Sequence, residues 1–418
     1  MLGKAYYEGK EIRFQLPQGW DLLVQAEPRD IPGLDDIRGS IREAFKNPVG
    51  MPSLLDRSWA GKRITVISDD QTRPTPAVDI VPALLDQLNE LGVRDMAIEL
   101  VVARGTHRLP NHVDLEKKLG KEVLDRVNVS VHDADDSSAL AHMGKTSRGT
   151  PVWVNRLVVE ADFVMGLGTV APHYFAGYSG GPKIILPGVC GRETIIKNHV
   201  MTADPRAEQG TRMGNPIWED MLETARIAGL DAKLDVVLTP QGKVYKVFLG
   251  DVKDSQDYAV EAFNLVYGVS IPRKVDVAIT SGYPLEADLI QSSKAIMSAN
   301  SITKEGGSII LSSACYDGPG PMFHETLSQR PDPDQVVKWI GEGKASPTGG
   351  PMASRLRSLL KRKRLVVVTR GIPEEKIREM EMVPARDLSE AIEEEFRLRR
   401  QAEVAVLPIG GASFPYIG

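Results

Sequence analysis

Residues Lys62–Leu91 read KRITVISDDQTRPTPAVDIVPALLDQLNEL, and they decide the fold class. Lys62–Ser68 is a short apolar run rich in β-branched side chains, the pattern of a buried strand. From there Val78, Val81, Leu84, Leu85, Leu88 and Leu91 recur at helical spacing, and Gly92 closes the helix. Working outward, the same alternation continues. Met96–Val102 reads as a strand, Leu115–Val127 as mostly helical, Ala161–Gly166 as a strand and Pro216–Ile227 as a helix. Lys233–Leu238 and Lys243–Leu249 read as an antiparallel pair turning at Pro240-Gln241-Gly242, followed by a helix over Val252–Tyr267. A fresh cycle starts with the strand Val275–Thr280, the helix Leu289–Ser298 and the strand Ser308–Leu311. Further strands are expected at Leu365–Val368 and Val404–Leu407, with the helix Leu388–Arg400 between them. Such alternation implies an α/β fold with mostly parallel sheets and right-handed crossovers.

A chain of 418 residues exceeds one ordinary core. Two α/β domains are expected, 1–270 and 271–418, with the break near 268–274 and the active site in the cleft between them. Residues 1–30 read as a short hairpin at the start of the first domain, and the last residues are free to return to it. Hydrophobic content of 42% and charged content of 26% fit a globular protein. A formal net charge of −5 argues against nucleic acid as a partner. The basic run Arg355–Arg364 reads as an amphipathic helix with a solvated face. Two cysteines, Cys190 and Cys315, cannot build a disulfide framework, and no CxxC is present for a structural zinc. No run approaches the ~20 apolar residues of a membrane span, and the first residues lack the apolar core of a signal peptide. A cytoplasmic enzyme without a membrane partner is the expectation. Pro319–Pro333 and Ala345–Met352, rich in Pro and Gly, read as functional loops or disorder.

The polar motifs begin where the expected strands stop. Asp69-Asp70-Gln71-Thr72-Arg73-Pro74 follows the first strand, and Arg104-Gly105-Thr106-His107 the second. The segment Gly166–His199 (GLGTVAPHYFAGYSGGPKIILPGVCGRETIIKNH) follows the third, and Ser281-Gly282-Tyr283-Pro284 follows Val275–Thr280. Ligands of open parallel sheets bind beyond the carboxyl ends of the strands. Four such motifs point to one convergent cleft.

Each motif has a functional and a plainer reading. Asp70 and Arg73 suit an anion, because the guanidinium fork matches carboxylate or phosphate; they equally suit an N-cap and a surface arginine. His107 suits a general base or a structural contact. His173 and His199 stand 26 positions apart, so no short metal-ligand spacing joins them. His112, His132, His142 and His324 read as surface or capping residues. Around Lys183, GYSGGPKI lacks the hydroxyl residue of a GxxxxGK[ST] phosphate loop, which argues against a nucleotide triphosphatase. That lysine could bind phosphate or carry a cofactor covalently, pyridoxal phosphate included. Gln291 and Lys294, three apart on an expected helix, share a face that could receive a carboxylate or simply be solvated.

The ordered set Asp70-Gln71-Thr72-Arg73-Pro74, Arg104-Gly105-Thr106-His107, Pro172-His173, Ser179-Gly180-Gly181-Pro182-Lys183, Asn198-His199 and Gln291-x-x-Lys294 resembles the nickel-dependent lactate racemase family. These are 2-hydroxy-acid racemases and epimerases that use a nickel-pincer nucleotide. The resemblance implies that Lys183 carries this cofactor, nickel pyridinium-3,5-bisthiocarboxylic acid mononucleotide, through a thioamide link. It implies His199 as the protein's nickel ligand and His107 and His173 as the acid/base pair. Arg73, Gln291 and Lys294 would bind the substrate carboxylate. Asp70, Thr72, Gly180 and Gly181 would serve the cofactor site, Asp70 also holding Arg73 or a histidine in place. Cofactor maturation proteins are implied as partners, and the implied substrate is a small 2-hydroxy acid.

The chain departs from the lactate-specific pattern at two places. Ile290 stands where an aromatic residue precedes the glutamine, and Thr348–Arg355 (TGGPMASR) has no tryptophan. These departures predict a pocket for a 2-hydroxy acid larger than lactate. Two alternatives use the same cleft: a lyase or dehydratase without nickel, and a non-catalytic cofactor-binding protein.

Overall fold

The computed structural model describes residues 1–346 and 349–418, with the side chain of residue 203 set aside. The chain divides into two compact units, Asp30–Phe263 and Met1–Arg29 with Asn264–Gly418. The boundary falls within the helix Val252–Tyr267.

The unit Asp30–Phe263 is built on a six-stranded sheet in the order Val244–Gly250, Ala232–Leu238, Phe163–Thr169, Ile64–Asp69, Ile98–Ala103, Asn128–Val131. All neighbours are parallel except the first pair, the expected antiparallel hairpin. Successive side chains of a strand face opposite sides. Ile64, Val66, Leu100 and Val102 therefore join one core with Ile80 and Leu84 of the helix Ala77–Glu90. Ile67, Val101 and Val164 join another with Ile217 and Trp218 of the helix Pro216–Ile227. Both faces are covered, which is why these strands read as near-continuous apolar runs. The helical region expected at Leu115–Val127 is two helices, His112–Leu119 and Lys121–Arg126, because Gly120 between them takes a φ of 82°.

The second unit holds a six-stranded parallel sheet in the order Val383–Ala385, Arg364–Val368, Thr303–Ser312, Val275–Ser281, Ala402–Leu407, Trp20–Gln25. The expected hairpin is present as Leu2–Tyr7 against Lys10–Gln15. The first 29 residues were expected in the N-terminal domain, but they pack with the C-terminal sequence. Trp20–Gln25 adds an edge strand beside Ala402–Leu407, and Ala5, Phe14, Leu16 and Trp20 are buried in that unit's core. Trp20 also donates from Nε1 to the Arg399 carbonyl at 2.8 Å. The last strand, Phe414–Ile417, pairs with Gly268–Ile271 of the same unit and does not return to the N-terminal sequence. Phe323–Ser328 is helical within the stretch read as loop, and the basic run lies partly on the helix Gly350–Leu360. Among the described residues no helix is long and apolar enough to cross a membrane.

Candidate active site

Three loops of the unit Asp30–Phe263 leave the carboxyl ends of adjacent strands and converge. The first carries Asp70, Thr72 and Arg73 out of the strand Ile64–Asp69, and the second carries His107 out of Ile98–Ala103. Asp70 is fully buried, and its Oδ2 accepts from His107 Nδ1 at 2.7 Å. Its Oδ1 accepts from the Thr72 hydroxyl at 2.6 Å and the Thr72 amide at 3.1 Å. Asp70 therefore fixes the tautomer of His107 with the proton on Nδ1, leaving Nε2 as the basic nitrogen. Arg73 stands 3.4 Å from that Nε2. Burial lowers the His107 pKa below the usual imidazole value; Asp70 opposes the shift, while Arg73 and Lys183 add to it. Burial alone would raise the Asp70 pKa, but the bond and charge of His107, with Thr72 and Arg73, hold it below the ordinary carboxylate value. Arg104 supports the loop from behind, donating to the carbonyls of His107 at 2.6 Å and His132 at 2.7 Å.

The third loop follows the strand Phe163–Thr169. Pro172–His173 pairs with Gly177–Tyr178 in a tight antiparallel bridge. The His173 Nδ1 accepts from the Ala176 amide at 3.3 Å, so its neutral ring carries the proton on Nε2. The neutral rings of the two histidines thus hold opposite tautomers. Phe175 joins three of the expected residues. Its ring stands edge-on to His173 at 4.4 Å and to His199 at 5.0 Å, and Lys183 Nζ lies 5.4 Å from its centroid.

His199 ends the helix Arg192–His199 and is buried. Burial, with the nearby Lys183 charge, pushes its pKa down to about 3, so the imidazole is neutral. Its Nδ1 has no hydrogen-bond partner among the described residues. A buried nitrogen without a partner is costly, and a neutral imidazole with an open lone pair is a transition-metal ligand by chemistry. Among the described residues no three His, Cys, Asp or Glu side chains converge to hold a metal by themselves. A single imidazole fits a metal whose other donors come with a cofactor.

Arg73, Arg104, His107, Thr169, Gly180 and Lys183 line an open pocket with a cavity volume of about 60 Å³, together with Asp69 and Lys233. Its guanidinium and ammonium groups outnumber its one carboxylate, which suits an anionic ligand. Gly180 and Gly181 take φ of 72° and 48°. A Cβ on Gly180 would lie 2.5 Å from Val170, and one on Gly181 2.4 Å from Gln256. These glycines are required by contact with their own chain, and the Gly181 amide is taken by Asp235 at 2.8 Å. Gln291 and Lys294 belong to the other unit, on the helix Leu289–Ile302, where Lys294 donates to Gln291 Oε1 at 2.8 Å.

Several residues escaped the sequence reading. Lys233 and Asp235 form a fully buried ion pair at 2.8 Å on a central strand, where a polar alternation would have been read as surface. Lys118 ties down the Arg73 loop. Phe175 carries no sequence signal beyond its place in the loop. His132, expected at the surface or as a cap, is fully buried; it donates to the Cys190 carbonyl at 3.0 Å, and burial pushes its pKa down to about 4.

Comparison with known proteins gives one family. Residues 7–210 match the lactate racemase N-terminal domain and residues 270–414 the lactate racemase C-terminal domain. The lactate racemase of Thermoanaerobacterium thermosaccharolyticum is 30% identical over 97% of this chain and 96% of its own. That of Lactiplantibacillus plantarum is 29% identical over 89% of each chain. The solved lactate racemase apoprotein from T. thermosaccharolyticum superposes with a TM-score of 0.90 at 28% identity, covering 100% of both chains. A Thermotoga maritima protein shares the fold at a TM-score of 0.66 and 20% identity, over 91% of this chain and 98% of its own.

Proposed function

The chain belongs to the lactate racemase family, an isomerase family, and from that premise we propose that it inverts C2 of a 2-hydroxy carboxylic acid with a nickel-pincer nucleotide held by Lys183 and His199. One observation carries the reading. Lys183 lines the same pocket as Arg73 and His107, and it shares the Phe175 ring with His173 and His199. The unpartnered Nδ1 of His199 and the amine of Lys183 suit a cofactor anchored at two points.

When bound, the group supplies a reversible acceptor for hydride. The chain's own residues do the rest. Arg73 binds the substrate carboxylate, and its 3.4 Å approach to His107 places the neighbouring hydroxyl at Nε2. His107 Nε2 takes the hydroxyl proton while Asp70 holds the positive charge that forms on the ring. Loss of hydride from C2 leaves a planar 2-keto acid. Inversion needs a second proton-transfer group, and His173 is assigned to it: in its imidazolium form it returns a proton to the oxygen and is left as the neutral ring, while His107 keeps the proton it took. Lys294 and Gln291 are assigned to the carboxylate and Thr72 to keeping Asp70 oriented.

The substrate is proposed to be a 2-hydroxy acid larger than lactate. Ile290 offers no rigid aromatic wall, although part of the released space is taken by the chain. Cβ atoms on Gly320 and Gly349 would stand 2.6 and 2.9 Å from the Ile290 side chain. Of the stretch Thr348–Arg355, residue 348 lies outside the described residues. Cytoplasmic location and loading by maturation proteins complete the reading. Racemisation measured across hydroxy acids of increasing size, on protein made with maturation partners, tests it. Activity on larger acids supports it, and a wide preference for lactate refutes the size argument. Turnover by nickel-free protein would favour a lyase-type chemistry in its place.

A further inference from the structure

Lys118 lies near the end of the helix His112–Leu119 and is only 7% exposed, unlike most lysines. Its ammonium donates to the Arg73 carbonyl at 3.0 Å and the Thr75 carbonyl at 2.9 Å, and pairs with Asp69 Oδ1 at 2.7 Å. An ammonium has three donors; two are taken by carbonyls of one loop, and the charge faces Asp69 Oδ1 as an ion pair without a hydrogen bond. Burying such a charge is costly unless its donors are matched in this way. A planar guanidinium could not serve the same three directions. The other oxygen of Asp69 accepts from the Thr75 hydroxyl, which also meets Thr169 at 2.7 Å. The main chain is thus clamped on both sides of Pro74.

We propose that Lys118 is a positioning residue that acts through Arg73, fixing the guanidinium against His107 and hence the place where a substrate carboxylate is held. The proposal rests on the assignment of Arg73 and His107 to the substrate. Lys118 itself lies behind the loop and does not line the pocket.

The experiment uses the full-length chain carrying Lys118→Met, which keeps the stem and removes the donors. The His107 ring is titrated by NMR, and kcat and KM are measured on matured protein across pH. The groups facing His107 are Asp70, Thr72, Arg73 and, across the pocket, Lys183, with Arg104 on its carbonyl. Only Arg73 is released by the substitution. Its charge opposes protonation of His107, so its departure raises the imidazole pKa and moves the acid limb of kcat/KM to higher pH. The loss in kcat/KM is expected between about tenfold and a hundredfold, carried more by KM than by kcat. An unchanged His107 titration and an unchanged acid limb in folded Lys118→Met would overturn the proposal, since a purely structural role moves neither. Should that variant fail to fold, Lys118→Arg keeps the charge against Asp69 but cannot serve both carbonyls. A raised His107 pKa in it supports the proposal, and an unchanged one overturns it. A shifted titration in a protein that racemises no hydroxy acid refutes the functional reading and leaves the positioning intact.

Discussion

His107 and His199 are both imidazoles that burial holds neutral, yet their nitrogens are treated in opposite ways. His107 has Asp70 on Nδ1 and Arg73 near Nε2, so its tautomer and its basicity are both set by neighbours. His199 has aromatic company, the Ile195 backbone nearby, and a Nδ1 that makes no hydrogen bond among the described residues. A paired imidazole is equipped to take and return a proton at one defined atom. An imidazole left with an open lone pair is equipped to donate that pair. The contrast teaches that a histidine's role follows from what meets its second nitrogen, not from its pKa alone.

The contrast breaks most sharply if the two are replaced in turn. His199→Ala is expected to abolish nickel retention in protein produced with maturation partners, measured by elemental analysis. His107→Ala should keep its nickel and lose about 10²-fold or more in kcat. Equal nickel loss in both would erase the distinction. Next in size, Asp70→Asn removes the group that orients His107 and favours its charged form. Turnover should fall by on the order of 10²-fold, and the residual acid limb should move to lower pH, because the Asp70 charge raises the His107 pKa. Replacing Arg73 by Gln should move that limb the other way, because the guanidinium lowers the same pKa. A pH–rate profile for each variant checks both signs.

The smallest effect concerns stability. His132 is pushed down to about 4 and His199 to about 3, whereas in the unfolded chain both titrate near 6.5. Below that value the unfolded state binds protons that the native state refuses. Their contribution is therefore fully present above pH ~6.5 and declines as pH falls towards 4. Thermal melts at pH 7 and pH 5 should show a lower Tm at the acid end, and His132→Asn should shrink the difference.

Much of the fold was legible because its strands are buried on both faces and its helices carry regular apolar stripes. Ile64–Asp69 and Ala77–Glu90 lie close to where the pattern of Lys62–Leu91 put them. The first 29 residues were not, because an edge strand such as Trp20–Gln25 is recruited by a partner about 380 positions away, and local pattern carries no sign of that distance. In the site, the motifs at strand ends were readable because polar and glycine residues interrupt apolar runs. The convergence of Asp70 with His107 also follows from adjacent parallel strands. Lys118, Lys233 and Phe175 were not readable. A lysine on a helix or strand is ordinarily solvated, and only tertiary contacts reveal that these two ammonium groups are enclosed. The glycines of Gly180-Gly181 read as room for a ligand, and the structure gives them a different reason, the press of Val170 and Gln256.

The account stands or falls on Lys183. Intact mass and peptide mapping of the full chain, produced together with cofactor maturation proteins, test it most directly. A mass increment confined to the Lys183 peptide, present with nickel and absent from Lys183→Arg, is the predicted result. A protein that racemises a 2-hydroxy acid with Lys183 unmodified would contradict it.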